Sequence, residues 1–166
     1  MSPLWGSRVT VVAALITAKG SWMGGDSLSS DDITCTSVTT PKVGRFGDKL
    51  LGFANSWEGQ RVLDCAARHP ELSYAEVLFR AGPLKDGVQI LCVENGKLLF
   101  SQADKEILVR RKRGRVAYDA IGSGSPHALG SLFTWHEGRE SLVSSLKAAE
   151  AHNPFVRHPF KIISLR

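Results

Sequence analysis

The segment that most constrains the fold is residues 9–16 (VTVVAALI), because apolar and β-branched side chains occupy both of its alternating faces. A strand with one face in water alternates polar and apolar residues, whereas a strand covered on both faces does not. The segment therefore predicts a central strand with a layer of structure on each side. A chain of 166 residues is long enough for one layered domain with its own core.

Strand and helix signals occur in blocks rather than in strict alternation. A pair of segments with helical periodicity follows the fourth predicted strand and another follows the seventh, the latter opening with Ser125 as N-cap and Pro126 as first helical residue. Blocks favour an α+β fold, here a four-layer αββα sandwich of two packed sheets with helices outside. Residues 27–34 are expected to form a surface loop or a ragged edge. The predicted strands are residues 9–16, 21–25, 42–46, 49–54, 88–93, 97–100, 116–121 and 160–165.

Composition excludes several classes of protein. Hydrophobic residues make up 43% of the chain and charged residues 22%, which rules out wholesale disorder. No apolar run approaches the roughly 20 residues of a membrane span, and the first residues lack the layout of a signal peptide. The three cysteines, Cys35, Cys65 and Cys92, form no CxxC motif, which predicts neither a disulfide framework nor a zinc site and indicates a cytoplasmic location.

The positive charge of the chain is concentrated in one segment. The formal net charge is +5, and residues 110–115 (RRKRGR) contain five basic side chains. No aromatic residue interleaves this segment, so we interpret it as a solvated hairpin turn, and nucleic acid is not the expected partner. A basic nucleic-acid-associated module stays open as an alternative. The five histidines lack metal-ligand spacing, and no metal site is predicted.

Three residues able to carry chemistry, Thr10, Asp26 and Lys42, are separated by two equal intervals of 16 residues. Four short words accompany them in order along the chain: GGDS at 24–27, KVGRF at 42–46, DKLLGFA at 48–54 and AIGSGSPHA at 120–128. The spacing and the words together resemble the proteasome β-subunit family, and within it the bacterial HslV-type peptidases. The resemblance spans residues 9–165.

The resemblance implies an N-terminal nucleophile (Ntn) hydrolase that acts as a threonine-type endopeptidase. The Thr10 hydroxyl would be the nucleophile and the α-amine of the same residue its base, since the ordinary pKa of such an amine, about 8, lies close to neutral pH. Lys42 would be the cation that lowers the amine pKa, and Asp26 would hold the lysine. The family's hydrogen-bonding serine falls on Ser123. Such a site needs no cofactor.

The resemblance also implies where substrate binds. A polypeptide would lie as an added strand between the stretch near Ser30 and the stretch near Ser56, held by main-chain hydrogen bonds. Backbone N–H groups near Ser56 would receive the oxyanion. The family has Gly-Gly after the GFA word, whereas this chain has Asn55 and Ser56. Serine still offers its N–H, but its side chain narrows the approach of a substrate.

Two departures from the family pattern bear on activity. Residues 1–9 precede Thr10, and while the bond after Val9 is intact the Thr10 nitrogen is an amide and no base. We therefore expect residues 1–9 to be either a leader or a mis-assigned start, and residues 10–166 to be the Ntn-hydrolase domain. In the second case translation begins at Val9, read as methionine, and an aminopeptidase then exposes Thr10. In addition, Asn153 and Val156 stand where the family has a supporting aspartate and serine.

The family also implies partners. Its members assemble into homo-oligomeric rings that enclose the active sites. The resemblance also implies a separate AAA+ unfoldase that supplies polypeptide, because nothing in this chain predicts a nucleotide site of its own. A catalytically degenerate subunit of the same fold, serving assembly or interaction, is the main alternative.

Overall fold

Two antiparallel sheets lie face to face at the centre of the molecule, and a pair of helices covers the outer face of each. The computed structural model describes residues 10–26, 28–30, 35–37, 41–85, 87–103, 107–110 and 114–166, without the side chains of 28–30 and 35–37. The strands are β1 (Val12–Thr17), β2 (Gly20–Gly25), β3 (Leu28–Ser30), β4 (Cys35–Ser37), β5 (Val43–Phe46), β6 (Lys49–Ala54), β7 (Gln89–Glu94), β8 (Lys97–Gln102), β9 (Leu108–Val109), β10 (Ala117–Ile121) and β11 (Lys161–Leu165). The helices are α1 (Gly59–Arg68), α2 (Tyr74–Ala81), α3 (Ser125–Thr134) and α4 (Arg139–His152).

The chain order of the strands differs from their order in space. One sheet has the order β10-β1-β2-β11, so that β1 is an inner strand, and the second has the order β5-β6-β7-β8-β9. The short hairpin of β3 and β4 stands apart from both. All of these pairings are antiparallel.

The alternation of side chains along β1 explains the layers. Val12, Ala14 and Ile16 belong to the apolar cluster between the two sheets, whereas Ala13 and Leu15 belong to the cluster beneath α3 and α4. A third cluster joins the other face of the second sheet to α1 and α2. Burial of each large aliphatic side chain contributes about 1.5–3 kcal/mol, so covering both faces of β1 stabilises the sandwich. The predicted αββα fold and the central position of this strand are confirmed.

Helices α2 and α3 begin in different ways, and the predicted N-cap of α3 is wrong by one residue. Helix α2 begins with a capping box, in which the Ser73 hydroxyl accepts from Glu76 N and the Glu76 carboxylate accepts from Ser73 N (2.8 Å). At α3 the N-cap is Gly124, not Ser125, and Ser125 is already helical. Gly124 lies in a tight turn against β1, where a Cβ would come within 3.1 Å of the Val11 side chain, and this packing sets the helix start.

Three short strands were not predicted. Residues 27–34, expected as a loop or ragged edge, contain β3, which pairs in register with the equally unpredicted β4, and β9 pairs with β8. Such short strands depend on main-chain pairing and carry little hydrophobic pattern. Within the described residues, no helix combines the length and the apolarity needed to cross a bilayer.

The basic segment 110–115 is described only in part. Residues 111–113 lie outside the described residues, so its interpretation as a hairpin turn is not tested. The Arg110 side chain packs within the domain. Its Nε lies 2.5 Å from Asp119 Oδ2, and its guanidinium lies 4.3 Å from the centre of the Phe100 ring.

Candidate active site

Thr10, Asp26 and Lys42 are brought together by three strand ends. Thr10 lies just before β1 and Asp26 directly follows β2, and the antiparallel pairing of these strands places Val12 opposite Gly25. Asp26 is fastened there twice, because its N–H donates to Val11 O (3.2 Å) and its Oδ1 accepts from Val11 N (3.2 Å). Lys42 comes from the other sheet, just before β5, where its carbonyl accepts from Phe53 N (3.1 Å).

The three side chains share a compact hydrogen-bond network. The Lys42 ammonium donates to Thr10 Oγ1 (2.7 Å) and to Asp26 Oδ1 (3.1 Å), and the Thr10 hydroxyl donates to the same carboxylate oxygen. Thr10, Asp26 and Lys42 are only 2%, 3% and 5% exposed. The hydroxyl oxygen therefore lies between a cation and an anion in a site from which water is largely excluded, a setting in which such hydrogen bonds are strong.

Burial shifts both ionisable groups of this network. It raises the pKa of Asp26, an effect that the positive charge of Lys42 opposes, and it lowers the pKa of Lys42, an effect that the Asp26 carboxylate opposes. A buried ion pair holds its charges only while both partners are in place. Asp26 Oδ2 has no hydrogen-bond partner among the described residues.

The turn between β10 and α3 holds the main chain of Thr10. Gly124 N donates to Thr10 O (3.2 Å), and Gly122 adopts a φ of +91°. A Cβ on Gly122 would lie 2.3 Å from Thr10 O, closer than real Cβ atoms approach, so this position requires glycine on both grounds. Ser123, between them, is exposed, and its Oγ accepts from Asn153 Nδ2 (3.2 Å). Among the described residues, the hydrogen bond from this turn to Thr10 comes from Gly124 N and not from the Ser123 hydroxyl.

The two residues expected at the substrate cleft, Ser30 and Ser56, do not belong to the hydrogen-bond network of Thr10 among the described residues. Ser56 lies in the turn between β6 and α1, where its Oγ accepts from Glu58 N (3.2 Å) and its carbonyl from Gly59 N (3.2 Å). Ser30 ends β3 opposite Cys35, and its side chain lies outside the described residues. Neither is joined to Thr10 by a hydrogen bond that the described residues make.

The two departures near α4 have different surroundings. Asn153 follows the helix and contacts Ser123, so a polar link to the turn persists. Val156 is fully buried in the cluster beneath α3 and α4, and it packs against Gly124.

Sequence reasoning missed one residue that links parts of the site. Gln89 Oε1 accepts from Asn55 Nδ2 (2.8 Å) and from Gly122 N (3.1 Å). Asn55 has a φ of +72°, a conformation that asparagine adopts more readily than most residues. A glutamine at the start of a strand carries no sequence signal, although the asparagine just after β6 does suggest a special backbone conformation.

In the described part of the chain, no group of three or more His, Cys, Asp or Glu side chains is arranged to hold a metal ion. Cys65 and Cys92 are buried free thiols.

The chain is similar in structure to several solved proteins. BPH of Thiobacillus denitrificans, also solved in complex with epoxomicin, superposes with a TM-score of 0.73 at 17% identity over 94% of this chain and 97% of that one. Eukaryotic HslV of Trypanosoma brucei superposes with a TM-score of 0.70 at 11% identity, over 93% of this chain and 98% of that one. Anbu (ancestral beta-subunit) of Yersinia bercovieri superposes with a TM-score of 0.69 at 12% identity, over 94% of this chain and 81% of that one.

These likenesses define the fold. No protein-family model matches the sequence, and no curated protein matches it either. The chain has the fold of the proteasome-like Ntn proteins, and the resemblance drawn from its sequence is confirmed at that level.

Proposed function

We propose that the chain is a threonine-type endopeptidase whose nucleophile is Thr10. The observation that carries the proposal is the position of Thr10 Oγ1, which accepts from the Lys42 ammonium at 2.7 Å and donates to Asp26. A threonine hydroxyl is a weak nucleophile until its proton is removed, and a buried cation at this distance stabilises the oxygen as negative charge develops on it.

The proposed reaction needs the free α-amine of Thr10. The amine takes the hydroxyl proton while Oγ1 attacks the scissile carbonyl carbon, and backbone N–H groups near Ser56 receive the oxyanion. The protonated amine then gives its proton to the leaving amine, and an ester to Thr10 remains. Water, deprotonated by the same amine, hydrolyses the ester and restores the hydroxyl. Lys42 keeps the amine pKa low, Asp26 holds Lys42, and Ser123 supports the turn beside them.

Activity therefore depends on removal of residues 1–9, because Thr10 N is an amide as long as Val9 precedes it. We propose that residues 10–166 are the mature domain. The determined N-terminus of active protein tests this step, and active protein that retains Met1 would contradict it.

We further propose the substrate and the assembly. The substrate is an unfolded polypeptide that pairs with main chain between β3 and the turn at Ser56. The likeness of the fold to HslV supports a homo-oligomeric ring. A cytoplasmic location and a separate AAA+ unfoldase that delivers the substrate are further parts of the proposal. A degenerate subunit is the second candidate, favoured by one observation: Val156, where the family has a serine, is a fully buried core residue.

A hydrolysis assay separates the two candidates. A chain beginning at Thr10 is expected to hydrolyse small peptide amides, and the same chain with Thr10→Ala is expected to have no activity. Thr134→Ala, a change at an exposed threonine of α3, is the matched control and is expected to keep full activity. A well-folded but inactive chain beginning at Thr10 would favour the degenerate subunit. Activity that survives Thr10→Ala would exclude the proposed nucleophile.

A further inference from the structure

We infer that Gln89 is a positioning residue that fixes the oxyanion-binding turn and the nucleophile relative to each other. The inference rests on the proposed function. Gln89 is the first residue of β7, opposite Ala54 at the end of β6, so its side chain starts beside the turn at Asn55 and Ser56. From there its one amide oxygen reaches two separate loops.

The orientation of the Gln89 amide follows from its partners. A backbone N–H can only donate, so the Gln89 atom 3.1 Å from Gly122 N must be the oxygen Oε1. The Asn55 atom 2.8 Å from that oxygen is then a donor, which makes it Nδ2. One acceptor thus ties a loop of the five-stranded sheet to a loop of the four-stranded sheet.

Each of the two loops touches a group that the reaction uses. Asn55 holds a left-handed conformation, with a φ of +72°, and the peptide that follows it carries the N–H of Ser56. A side-chain hydrogen bond from Asn55 to a strand residue restrains that peptide. On the other side, Gly122 packs so closely on Thr10 O that a Cβ would lie 2.3 Å away. A contact path therefore runs from Asn55 through Gln89 and Gly122 to Thr10.

The role of such a link is geometric. Negative charge forms on the substrate oxygen only as the tetrahedral intermediate develops, so a misplaced N–H weakens the transition state more than the bound substrate. Loss of the link is therefore expected to lower kcat while KM changes little. A residue needed only for folding would instead change the amount of active protein, and both constants would be those of the wild type.

Two substitutions of Gln89 separate the hydrogen bonds from the shape of the side chain. Gln89→Met keeps the length of the side chain and removes the acceptor, whereas Gln89→Glu keeps an acceptor oxygen for both donors. The matched control is Gln102→Met, because Gln102 is the cross-strand partner of Gln89 on β8. All three are made in the chain beginning at Thr10 and assayed with a peptide amide, and hydrogen exchange of the Gly122 amide is measured in each.

The expected result is a fall in kcat of about tenfold or more for Gln89→Met, with KM within about twofold, because a small displacement of reacting groups is costly. Gly122 exchange is expected to accelerate in the same variant. Gln89→Glu should recover most of kcat and the slow exchange, and Gln102→Met should match the wild type in both.

Three outcomes would overturn the inference. In the first, wild-type chain is active and Gln89→Met has the same kcat and the same Gly122 exchange. In the second, exchange accelerates but kcat is unchanged, so the link exists without a catalytic consequence. In the third, the wild-type chain itself has no activity. There the proposed function has failed and the positioning role falls with it, a case that the wild-type assay alone identifies.

Discussion

The Lys42 ammonium donates a hydrogen bond of 2.7 Å to Thr10 Oγ1 across the boundary between the two sheets. Thr10 enters the first sheet and Lys42 enters the second, so their contact depends on the packing of the sandwich rather than on local sequence. The sandwich therefore builds the candidate site directly, and a test of the site is also a test of how the sheets meet.

Removal of the Lys42 ammonium should abolish most of the activity. In Lys42→Met the α-amine pKa rises and the oxygen loses its donor, so kcat/KM is expected to fall about 10²- to 10⁴-fold. Lys49 offers a matched control, because it is equally buried in the same sheet but donates to Pro70 O (2.8 Å), away from Thr10. Lys49→Met is expected to keep kcat/KM at the wild-type level in a peptide-amide assay. Equal losses in the two variants would assign Lys42 a purely structural role.

The dependence of kcat/KM on pH should be bell-shaped. Activity rises as the Thr10 amine loses its proton, at a pH below about 8 because the neighbouring ammonium lowers the amine pKa. Activity falls again on the alkaline side as Lys42 loses its proton. Because burial lowers the pKa of Lys42, this alkaline limb lies below the ordinary lysine pKa of 10.5. The Asp26 carboxylate raises the Lys42 pKa, so Asp26→Asn should move the alkaline limb to lower pH. An alkaline limb that stays in place in this variant would contradict the pairing.

Stability measurements should reveal the same ion pair. Removing one partner of a buried pair leaves the other charge facing a low dielectric, so Asp26→Asn and Lys42→Met are each expected to lower the free energy of unfolding by about 3–5 kcal/mol. The double variant is expected to be more stable than either single variant, and still inactive. Urea unfolding at pH 7 checks this. Losses that simply add up would show that the two groups are not coupled.

Substitution of Gly122 should damage the fold and the site together. Gly122→Ala places a methyl group 2.3 Å from Thr10 O at a φ of +91°, so the turn or Thr10 must shift. Gly114 also has a positive φ (+61°), but among the described residues no atom beyond its chain neighbours lies within 4 Å of where its methyl group would be, so Gly114→Ala serves to measure the backbone strain. We expect Gly122→Ala to lower the free energy of unfolding by about 1–3 kcal/mol more than Gly114→Ala does. We also expect Gly122→Ala to lower the activity. Equal losses in thermal unfolding and retained activity would contradict the close approach.

Much of the fold was predictable because hydrophobic pattern reports burial. The run at 9–16 has apolar side chains on both faces, and the structure covers both faces of β1. The hairpin at Asn95 and Gly96 is equally clear, since both residues adopt the positive φ that this turn requires. Strands β3, β4 and β9 were missed because two or three residues held by main-chain hydrogen bonds leave no periodicity.

The site was predictable only in part. The equal spacing of Thr10, Asp26 and Lys42 is visible in the sequence because each residue adjoins a strand end, and the structure brings the three together. Their catalytic roles stay a prediction. The Gln89 link was not predictable, since it joins residues 34 and 33 positions apart through a side chain whose direction only the packed sheets define.

Covalent labelling shows directly whether Thr10 is the nucleophile. The chain beginning at Thr10 is treated with a peptide epoxyketone, whose two electrophilic carbons suit a hydroxyl and an amine on one residue, and is analysed by intact and tandem mass spectrometry. We expect one adduct per chain, located on Thr10, and none on the chain that retains residues 1–9. An adduct on another residue, or no adduct on folded chain beginning at Thr10, would contradict this expectation.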